Sequence, residues 1–415
     1  MSSAGTKHAA VDHRSVGLLG ILTICAYGCW YYAFGVLLDP ILDDTDWRES
    51  TLAASFSAGT VLIGVASLAG GRMLDRVGHR AVFLLGGVLT LGGMLVASWA
   101  TSSAVFFVGA ALGLGASGTL GFYHVTMPTA VRLNESGGPR AITVLTIWGA
   151  FASAIFLPLT AWLIDAFGWR STIRILGVIA AAAFTASAVL LPSVPPRDAT
   201  VAPRPLRAVV AETFSRPDTR WFTAAIAFGG IAMSTMLVYQ VPTMRSLGLA
   251  AGTASTIAGL RGFCQLLGRL PLTPIVSRLG LDRALIVAFA AVTLAGGLLA
   301  VSSTIATGVV FAIVAGFGIG AFSPLQGMKS ESLFDRDNLG ATMGWYGAVM
   351  LLAGSIGPFV AGFIVDQTGE RRWAAAIVSL AGAAALLSLL RMAACSTEAV
   401  SPTLVTNDSR SPDRR

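Results

Sequence analysis

Two arginines and a glutamine lie inside an otherwise apolar stretch of the chain, at residues 251–274. Arg261, Gln265 and Arg269 are spaced four residues apart, so in a helix their side chains lie on one face. A charge near the centre of a bilayer costs about 2.5–3.5 kcal/mol on insertion scales, and such residues mark a pathway or a buried partner. No carboxylate lies deep in any apolar stretch of the sequence to neutralise them. Because guanidinium groups bind carboxylates bidentately, the stripe predicts an anionic ligand.

A histidine and a tyrosine in the fourth apolar stretch are further candidates for this site. His124 follows Tyr123 directly. An unperturbed histidine titrates near pH 6.5, so His124 is a candidate proton carrier, and a hydrogen-bonded packing residue is the alternative interpretation. Asp39, which ends the first apolar stretch beside Pro40, is predicted to be an interfacial cap.

Aromatic and amide side chains of the first and seventh apolar stretches are candidates to line a cavity. They are Tyr27, Trp30, Tyr31, Tyr32, Tyr239 and Gln240. Aromatic residues also pack helices together and lie at membrane interfaces, which is the alternative interpretation.

Three cysteines are predicted to lie at similar depth in two of the apolar stretches. Cys25 and Cys29 are one helical turn apart in the first stretch, and Cys264 lies in the eighth. Soft thiolates bind soft ions, so one hypothesis is a site for a trivalent metalloid. The other interpretation is that these cysteines are small apolar packing residues. With Cys395 they make four in 415 residues, which indicates no disulfide framework.

Enzymatic and nucleotide-driven functions are disfavoured by the sequence. Gly113-x-Gly115-x-x-Gly118 matches a dinucleotide fingerprint as a string, but it lies inside an apolar span and follows no strand. Helix packing through small residues explains it better. The sequence contains no phosphate-binding Walker loop, catalytic triad or H-E-x-x-H motif. We therefore expect no enzyme activity, no cofactor and no metal.

The elements that hold these residues are predicted to span a membrane. Of the 415 residues, 54% are hydrophobic and 12% are charged, against about 25% charged in soluble domains. A helix needs about 20 apolar residues to cross roughly 30 Å of hydrocarbon. The sequence therefore predicts an all-α integral membrane protein of twelve transmembrane helices. They lie near residues 16–38, 51–71, 81–100, 104–131, 141–164, 171–191, 219–241, 251–274, 284–303, 305–328, 340–364 and 373–392.

The distribution of basic residues predicts the orientation. With both termini inside, only six of the 28 Lys and Arg residues lie in outer loops. They are Arg48, Arg170, Arg174, Arg245, Arg371 and Arg372. This asymmetry indicates an N-in/C-in protein. Because the basic residues are spread over short loops, the net charge of +7 does not indicate a nucleic-acid partner.

The chain is predicted to consist of two similar six-helix bundles, at 16–191 and 219–392, joined by a cytoplasmic linker at 192–218. Cytoplasmic tails are predicted at 1–15 and, disordered, at 393–415. Two triplets of the first bundle recur about 200 residues later. Pro158, Ala161 and Ile164 recur as Pro358, Ala361 and Ile364, and Asp165, Gly168 and Arg170 recur as Asp366, Gly369 and Arg371.

A motif between the second and third spans reads Gly71-Arg72-Met73-Leu74-Asp75-Arg76-Val77-Gly78-His79-Arg80, and Ser277-Arg278-Leu279-Gly280 is a weaker second copy. It resembles the signature loop of the major facilitator superfamily, and the resemblance extends over about 16–392. It implies the major facilitator fold, whose two bundles rock about a site at the bilayer midplane. It also implies an inner latch at Gly71, Asp75, Arg76, Gly78 and Arg80. Pro158 and Pro358 are the predicted helix hinges.

Within the superfamily the chain resembles the branch of monocarboxylate and oxalate/formate transporters. The matching residues are Tyr32-x-x-Gly35-Val36, Pro158-Leu-x-x-x-Leu163-Ile164-x-x-x-Gly168-Trp169-Arg170 and Gly268-Arg269. In that branch the arginine matching Arg269 contacts the substrate carboxylate. The aromatic and double-basic signature that opens span five in monocarboxylate carriers is absent, since only Arg140 precedes Ala141.

These features predict a secondary active transporter that moves a small organic anion by alternating access, with proton or anion coupling. Arg269 and Arg261 are its predicted ligands, and the alternative places them at an inner and an outer gate. The alternative function is efflux of drugs or of a metalloid such as arsenite or antimonite, because Gly354-x-x-Gly357-Pro358-x-x-x-Gly362 resembles the antiporter motif of drug exporters. A non-transporting sensor is a third, less favoured reading. We expect a monomer in a bacterial inner membrane.

Overall fold

The computed structural model describes residues 12–68, 70–134, 137–193, 206–334 and 339–400, and these residues are almost entirely helical. The elements in chain order are α1 (His13–Ala26), a π-helix (Tyr27–Tyr32), α2 (Phe34–Asp44), α3 (Glu49–Ser67), α4 (Gly70–Ser98), α5 (Ser103–Gly121), α6 (Tyr123–Leu133), α7 (Gly138–Leu190), α8 (Leu206–Ser215), α9 (Pro217–Ser246), α10 (Ala251–Arg269), α11 (Leu272–Leu279), α12 (Leu281–Ala300), α13 (Ile305–Leu333), α14 (Leu339–Gly354), α15 (Ile356–Thr368) and α16 (Arg372–Val400).

Ten helical runs among the described residues are long and apolar enough to cross a membrane. One of them, Arg140–Leu190, has 51 residues. A straight helix of that length would measure about 76 Å, far more than the roughly 30 Å of hydrocarbon. It bends at Gly168, whose φ is 73°, and so forms two arms. The arginine-bearing helix α10 is not among the ten runs. The predicted all-helical membrane fold is confirmed, while the number of twelve crossings and the orientation stay predictions.

Glycines in the left-handed region form the turns between several consecutive helices. Gly78, Gly168 and Gly280 have nearly the same backbone conformation, with φ of 74°, 73° and 80° and ψ of 166°, 163° and 161°. Gly369, at the position equivalent to Gly168, also has a positive φ of 70°, but its ψ is 0°. A side chain at such a φ is strained, so glycine is required there. The shared geometry supports the internal repetition seen in the sequence.

The buried apolar residues form two clusters, one drawn mainly from residues before 192 and the other mainly from residues after 218. Within the first half α4 packs against α5 and α7, and within the second α9 packs against α16 and α10 against α13. Each half therefore has its own core, as expected for two bundles.

Among the described residues, helices of the two halves pack together as α2 with α9, α7 with α10, α3 with α14 and α3 with α15. Small residues allow the helices to approach closely. A Cβ atom at Gly35 of α2 would lie 2.6 Å from the carbonyl oxygen of Val238 in α9. A Cβ atom at Gly262 of α10 would lie 1.7 Å from Oγ of Ser153 in α7. Larger side chains at these two positions would force the halves apart.

Two predicted boundaries differ from the structure. The linker predicted at 192–218 contains the helix α8 (Leu206–Ser215), and α9 begins at Pro217. The tail predicted to be disordered from residue 393 is helical as far as Val400. Alanine favours helix formation, which explains why Ala393 and Ala394 continue α16 beyond its apolar part. Residues 1–11 and 401–415 of the predicted tails lie outside the described residues.

Candidate functional site

The predicted cationic stripe lies where both halves meet, with α10 packed against α7. The first half also contributes Tyr31 and Tyr32 from the π-helix. The N–H group of Ala33 donates to the carbonyl oxygen of Gly28 at 3.3 Å, five residues back instead of the four of an α-helix. Such π-helical turns occur often at functional sites, because they redirect the side chains that follow.

Arg261 is almost completely buried, with 2% of its surface exposed. Its Nε donates to Oε1 of Gln240 in α9 at 2.8 Å, whereas its Nη2 is buried without a hydrogen-bond partner. Tyr31 and Tyr32, which belong to the opposite half, lie within electrostatic range of the guanidinium. The structure therefore presents a fixed, buried cation with one donor free, facing tyrosines across the interface.

Arg269 contacts the first half directly. Its Nη1 donates to the carbonyl oxygen of Thr146 in α7 at 2.9 Å, and its Nη2 donates to Oε1 of Gln265 at 3.3 Å. Its Nε is buried without a partner. The hydroxyl of Tyr123 in α6 also lies beside this guanidinium. The predicted group of Arg269, Gln265 and Tyr123 is thus brought together.

Thr146 and Gly149 belong to this site but were not predicted from the sequence. The Tyr123 hydroxyl occupies space that only a glycine leaves open, because a Cβ atom at Gly149 would lie 1.7 Å from it. Thr146 contributes through its backbone carbonyl oxygen, which every residue type has. The amino-acid type at this position therefore could not indicate a role in the site.

Neither Arg261, which is buried, nor Arg269, which is half-buried, pairs with a carboxylate in the described part of the chain. The ion pairs of the described residues involve Arg170, Arg216, Arg245, Lys329 and Arg371. An uncompensated buried charge is costly, so these arginines need a counter-ion from outside the protein. This agrees with the anionic ligand that the stripe predicts.

His124 is close to the site but is engaged locally. Its Nε2 lies 2.9 Å from the carbonyl oxygen of Thr119, at the break between α5 and α6. The backbone of Phe122 at this break is extended, with ψ of 177°, which leaves the Thr119 carbonyl available. This contact favours the packing interpretation of His124 over a proton carrier.

The three cysteines have different neighbours in the two halves, so their contacts give no support to the hypothesis of a metalloid site, which stays a prediction. Cys25 and Cys29 contact each other, and Cys29 also lies near the backbone of Ala180, inside the first half. Cys264 instead packs on α13. A Cβ atom added at Gly316 of α13 would lie 2.5 Å from the Cβ atom of Cys264. Among the described residues no group of three His, Cys, Asp or Glu side chains could hold a metal ion. The α10 helix turns Cys264 toward its own bundle rather than toward Cys25.

An ion cluster joins the two halves of the protein, and its members are Asp39, Glu49, Arg245 and Arg371. It lies at the end of the protein that holds the loops at 45–48 and 247–250, which we call the outer end. Nη1 of Arg245 lies 2.5 Å from Oδ2 of Asp39, and Nη1 of Arg371 lies 2.6 Å from Oδ1. Nη2 of Arg371 lies 3.1 Å from Oε2 of Glu49. Asp39 and Glu49 are 5% and 6% exposed. The interpretation of Asp39 as an interfacial cap is wrong, because its carboxylate is buried between arginines of the opposite half.

Arg371 remains charged in this cluster. Burial by itself lowers the pKa of its guanidinium, but the neighbouring Asp39 and Glu49 carboxylates outweigh burial and raise the pKa above its ordinary value. Tyr239, predicted to line the substrate cavity, lies here instead: its buried hydroxyl is next to Glu49, away from the arginine stripe. The helical twist of α9 directs Tyr239 and Gln240 to different neighbours.

Asp366 adds a second connection between the halves. Its carboxylate accepts the backbone N–H groups of Glu49 at 3.0 Å and of Ser50 at 3.1 Å. The first N–H groups of a helix have no partner within the helix, so Asp366 of α15 caps the start of α3. A cavity of about 250 Å³ adjoins this contact, lined by Arg48, Ser50, Phe363, Asp366 and Gln367.

The repeated Asp-x-x-Gly-x-Arg triplet has a different role in the first half. Arg170 pairs with Asp44 and lies 4.1 Å from the centre of the Trp169 ring. The Trp169 indole also donates to Asp44, at 2.9 Å. These contacts stay within the first half, whereas those of Arg371 and Asp366 cross to the other. The sequence repeat therefore has asymmetric contacts, and the crossing set closes the outer end.

The predicted inner latch is only partly within the described residues. Gly71, Asp75 and Arg76 lie outside the part of the chain whose side chains are described. Arg80 donates to the carbonyl oxygen of Leu191 at 3.4 Å, within its own half, and Gly78 forms the turn described above. The latch stays a prediction.

The two predicted hinges lie at different kinds of position. Pro158 is inside α7 and faces α10, since a Cβ atom at Gly259 would lie 3.4 Å from its Cδ. Pro358 lies in the first turn of α15, directly after the break at Ser355, where a proline is compatible with a helix. Their motion stays a prediction.

Comparison with known proteins agrees with this architecture. A family model described as Major Facilitator Superfamily matches residues 19–249 and 221–411. The chain is 27% identical to the human monocarboxylate transporter 11 over 377 residues, which are 87% of this chain and 76% of the relative. It is 25% identical to the uncharacterized transporter YycB of Bacillus subtilis (strain 168) over 345 residues, 80% of this chain and 81% of the relative.

The crystal structure of the nucleoside transporter NupG has the same fold, with a TM-score of 0.75 at 16% identity over 92% of this chain and 98% of that one. The predicted likeness to monocarboxylate transporters is confirmed by the curated relatives. Because the family model covers most of the sequence, the chain belongs to the Major Facilitator Superfamily.

Proposed function

We propose that this protein is a secondary active transporter of a small organic anion, which binds at Arg269 and Arg261 between the two halves. One observation carries the proposal: Arg261 is buried and Arg269 half-buried with its Nε buried, and neither guanidinium pairs with a carboxylate of the described residues. A bound carboxylate would supply the missing charge and accept the free N–H donors. The likeness to monocarboxylate transporters supports the same class of ligand.

The site's position between the halves fits alternating access. Arg269 donates to the backbone of α7, and Arg261 faces the π-helix, so both halves contribute to one site. We propose that the outer cluster of Asp39, Glu49, Arg245 and Arg371 is the outer gate, and its ion pairs are formed in this structure. Opening requires that these ion pairs separate, and closure around the anion would restore them on the return step.

The efflux of a metalloid is not supported, because the cysteines do not converge. The segment from Gly354 to Gly362, which resembles an antiporter motif, serves in helix packing. A Cβ atom at Gly357 would lie 2.1 Å from Oγ1 of Thr235 in α9, so this glycine brings α15 against its own half. The packing itself does not distinguish uptake from efflux, and the proposed anion transport operates in either direction according to the gradients.

The proposal is tested by transport in proteoliposomes that contain the purified full-length chain. Uptake of radiolabelled acetate, pyruvate, lactate, butyrate and succinate is measured with Arg269→Gln and with the control Arg391→Gln, which changes an exposed arginine of α16. We expect uptake of at least one anion, with an at least tenfold loss in Arg269→Gln and no change in Arg391→Gln. No uptake of any anion, or full activity in Arg269→Gln, would refute the proposal.

The coupling is tested in the same vesicles. Uptake driven by an imposed pH gradient without internal anion would indicate proton coupling. Uptake that requires a preloaded anion, and that a pH gradient does not drive, would indicate exchange. We propose one of these two forms of coupling and exclude uptake driven by ATP.

A further inference from the structure

The two arginines of the site are held apart by different partners. Gln240 fixes Arg261 through its Nε, and Thr146 with Gln265 fixes both terminal nitrogens of Arg269. The nitrogens left free are Nη2 of Arg261 and Nε of Arg269, and both are buried. Each guanidinium therefore retains a donor for a ligand, while its fixed contacts prevent both from turning toward one small carboxylate.

Helix geometry sets the spacing between the two cations. Arg261 and Arg269 are eight residues apart on α10, and eight residues of α-helix rise about 12 Å. A monocarboxylate bound to Arg269 would leave the Arg261 charge buried and uncompensated. This matters because an unpaired buried charge is strongly unfavourable, whereas a paired one is tolerated.

The space between the arginines is lined by uncharged polar groups. Gln265 lies halfway along the stripe and is 6% exposed. Tyr32 lies within electrostatic range both of Arg261 and of Tyr123, which itself borders Arg269. Gln265 and Tyr32 therefore place uncharged polar groups near the two cations, one from each half.

The spacing of the two arginines matches a particular class of ligand. An extended four-carbon dicarboxylate separates its two carboxyl carbons by roughly 4 Å. A single charge-assisted N–H···O bond of about 2.8 Å places a guanidinium carbon roughly 4–5 Å from a carboxyl carbon. A dianion of this length therefore spans guanidinium groups roughly 12–14 Å apart, which is comparable to the rise of about 12 Å between the Cα atoms of the two arginines.

We propose that the substrate is a dicarboxylate of four or five carbons, bound with one carboxylate at Arg269 and the other at Arg261. This inference rests on the proposed anion transport and specifies its substrate class. Two negative charges neutralise the two positive ones that have no carboxylate partner among the described residues, so the loaded site is uncharged. Arg261 is then the residue that distinguishes dicarboxylates from monocarboxylates of the same length.

The test compares ligands that differ only at one end. Affinities of succinate, butyrate and succinamate are measured by tryptophan fluorescence or calorimetry on the purified full-length wild-type protein. These ligands have the same four-carbon backbone, and the second end is a carboxylate, a methyl group or an amide. We expect succinate to bind at least tenfold more tightly than either of the others. Equal affinity for succinate and butyrate would overturn the dicarboxylate assignment, and this result needs no variant.

Variants then assign the second carboxylate to Arg261. Arg261→Gln should reduce succinate affinity to the level of butyrate and leave butyrate affinity unchanged, whereas Arg269→Gln should weaken both ligands. Arg261→Lys preserves the charge and should retain part of the succinate preference. An equal loss for succinate and butyrate in Arg261→Gln would refute its assignment as the second ligand.

The outcomes separate this inference from the proposed function. Binding of butyrate as tight as that of succinate, with loss of both in Arg269→Gln, would leave anion binding intact and refute only the dicarboxylate class. Absence of binding for every carboxylate in the wild-type protein, together with absence of uptake in proteoliposomes, would refute both.

Discussion

Arg371 and Asp39 belong to opposite halves of the protein, yet Nη1 of the arginine lies 2.6 Å from Oδ1 of the aspartate. The same guanidinium contacts Glu49, and Arg245 contacts the other oxygen of Asp39. Because the carboxylates are almost completely buried, solvent screens these pairs much less than pairs at the surface. The ion pairs therefore contribute directly to the balance between the closed and open states of the outer end.

Removing Arg371 should open the outer end. In Arg371→Gln the two buried carboxylates lose their shared cation and repel one another, so a larger fraction of molecules should have the halves separated there. Spin labels at Asp46→Cys and Ser246→Cys, two exposed positions on opposite halves, would report this by double electron–electron resonance in a Cys395→Ser background. We expect a longer distance to appear or to grow in population.

The neighbouring arginine provides the matched control. Arg372 is exposed and begins α16, so Arg372→Gln should leave the label distances unchanged. Identical distributions in Arg371→Gln and the unsubstituted protein would contradict the role of the cluster as a gate.

The Asp366 cap should stabilise the closed state. Asp366→Asn keeps the size of the side chain but weakens two bonds to the start of α3, and the loss of an N-terminal cap typically costs about 1 kcal/mol. The thermal unfolding midpoint in detergent should fall by a few degrees. Asp165→Asn, at the equivalent position of the first half, changes an exposed residue and should have little effect. An equal loss of stability in both variants would argue against the cap between the halves.

The glycine beside Tyr123 should be essential for the site. Gly149→Ala places a methyl group where the Tyr123 hydroxyl lies, so the ring must shift away from Arg269. We expect an at least fivefold loss of anion affinity with nearly normal amounts of folded protein. Gly17→Ala, at a position with nothing within 4 Å of the added carbon, is the control. Unchanged affinity in Gly149→Ala, measured by the ligand titrations, would remove Tyr123 from the site.

The cysteines should be dispensable for transport. Cys25→Ala and Cys29→Ala alter packing within the first half, and Cys264→Ala alters the contact with α13, so anion uptake per folded molecule should remain within about twofold of the unsubstituted chain. Cells that express the protein should accumulate arsenite as control cells do. Arsenite resistance that disappears in Cys264→Ala would contradict the separate placement of these thiols.

Much of the fold follows from the sequence, because bilayer crossing requires long apolar helices and leaves few alternatives. Arg261, Gln265 and Arg269 share one face because helical periodicity fixes it, whereas a site between the two bundles was an implication of the family resemblance. The turn glycines Gly78 and Gly168 were likewise recognisable, since their motifs repeat.

The tertiary structure alone decided which partners these residues meet. Asp39 and Arg371 are more than 300 residues apart in the chain, and no local pattern indicates that their charges pair. Tyr239 and Gln240 are adjacent in sequence but lie beside Glu49 and Arg261 respectively, because successive side chains on a helix point about 100° apart. The three cysteines were predicted to lie at a similar depth in the membrane, but their side chains face different neighbouring helices. Periodicity determines depth and face within one helix, whereas the packing of helices against each other determines which faces meet.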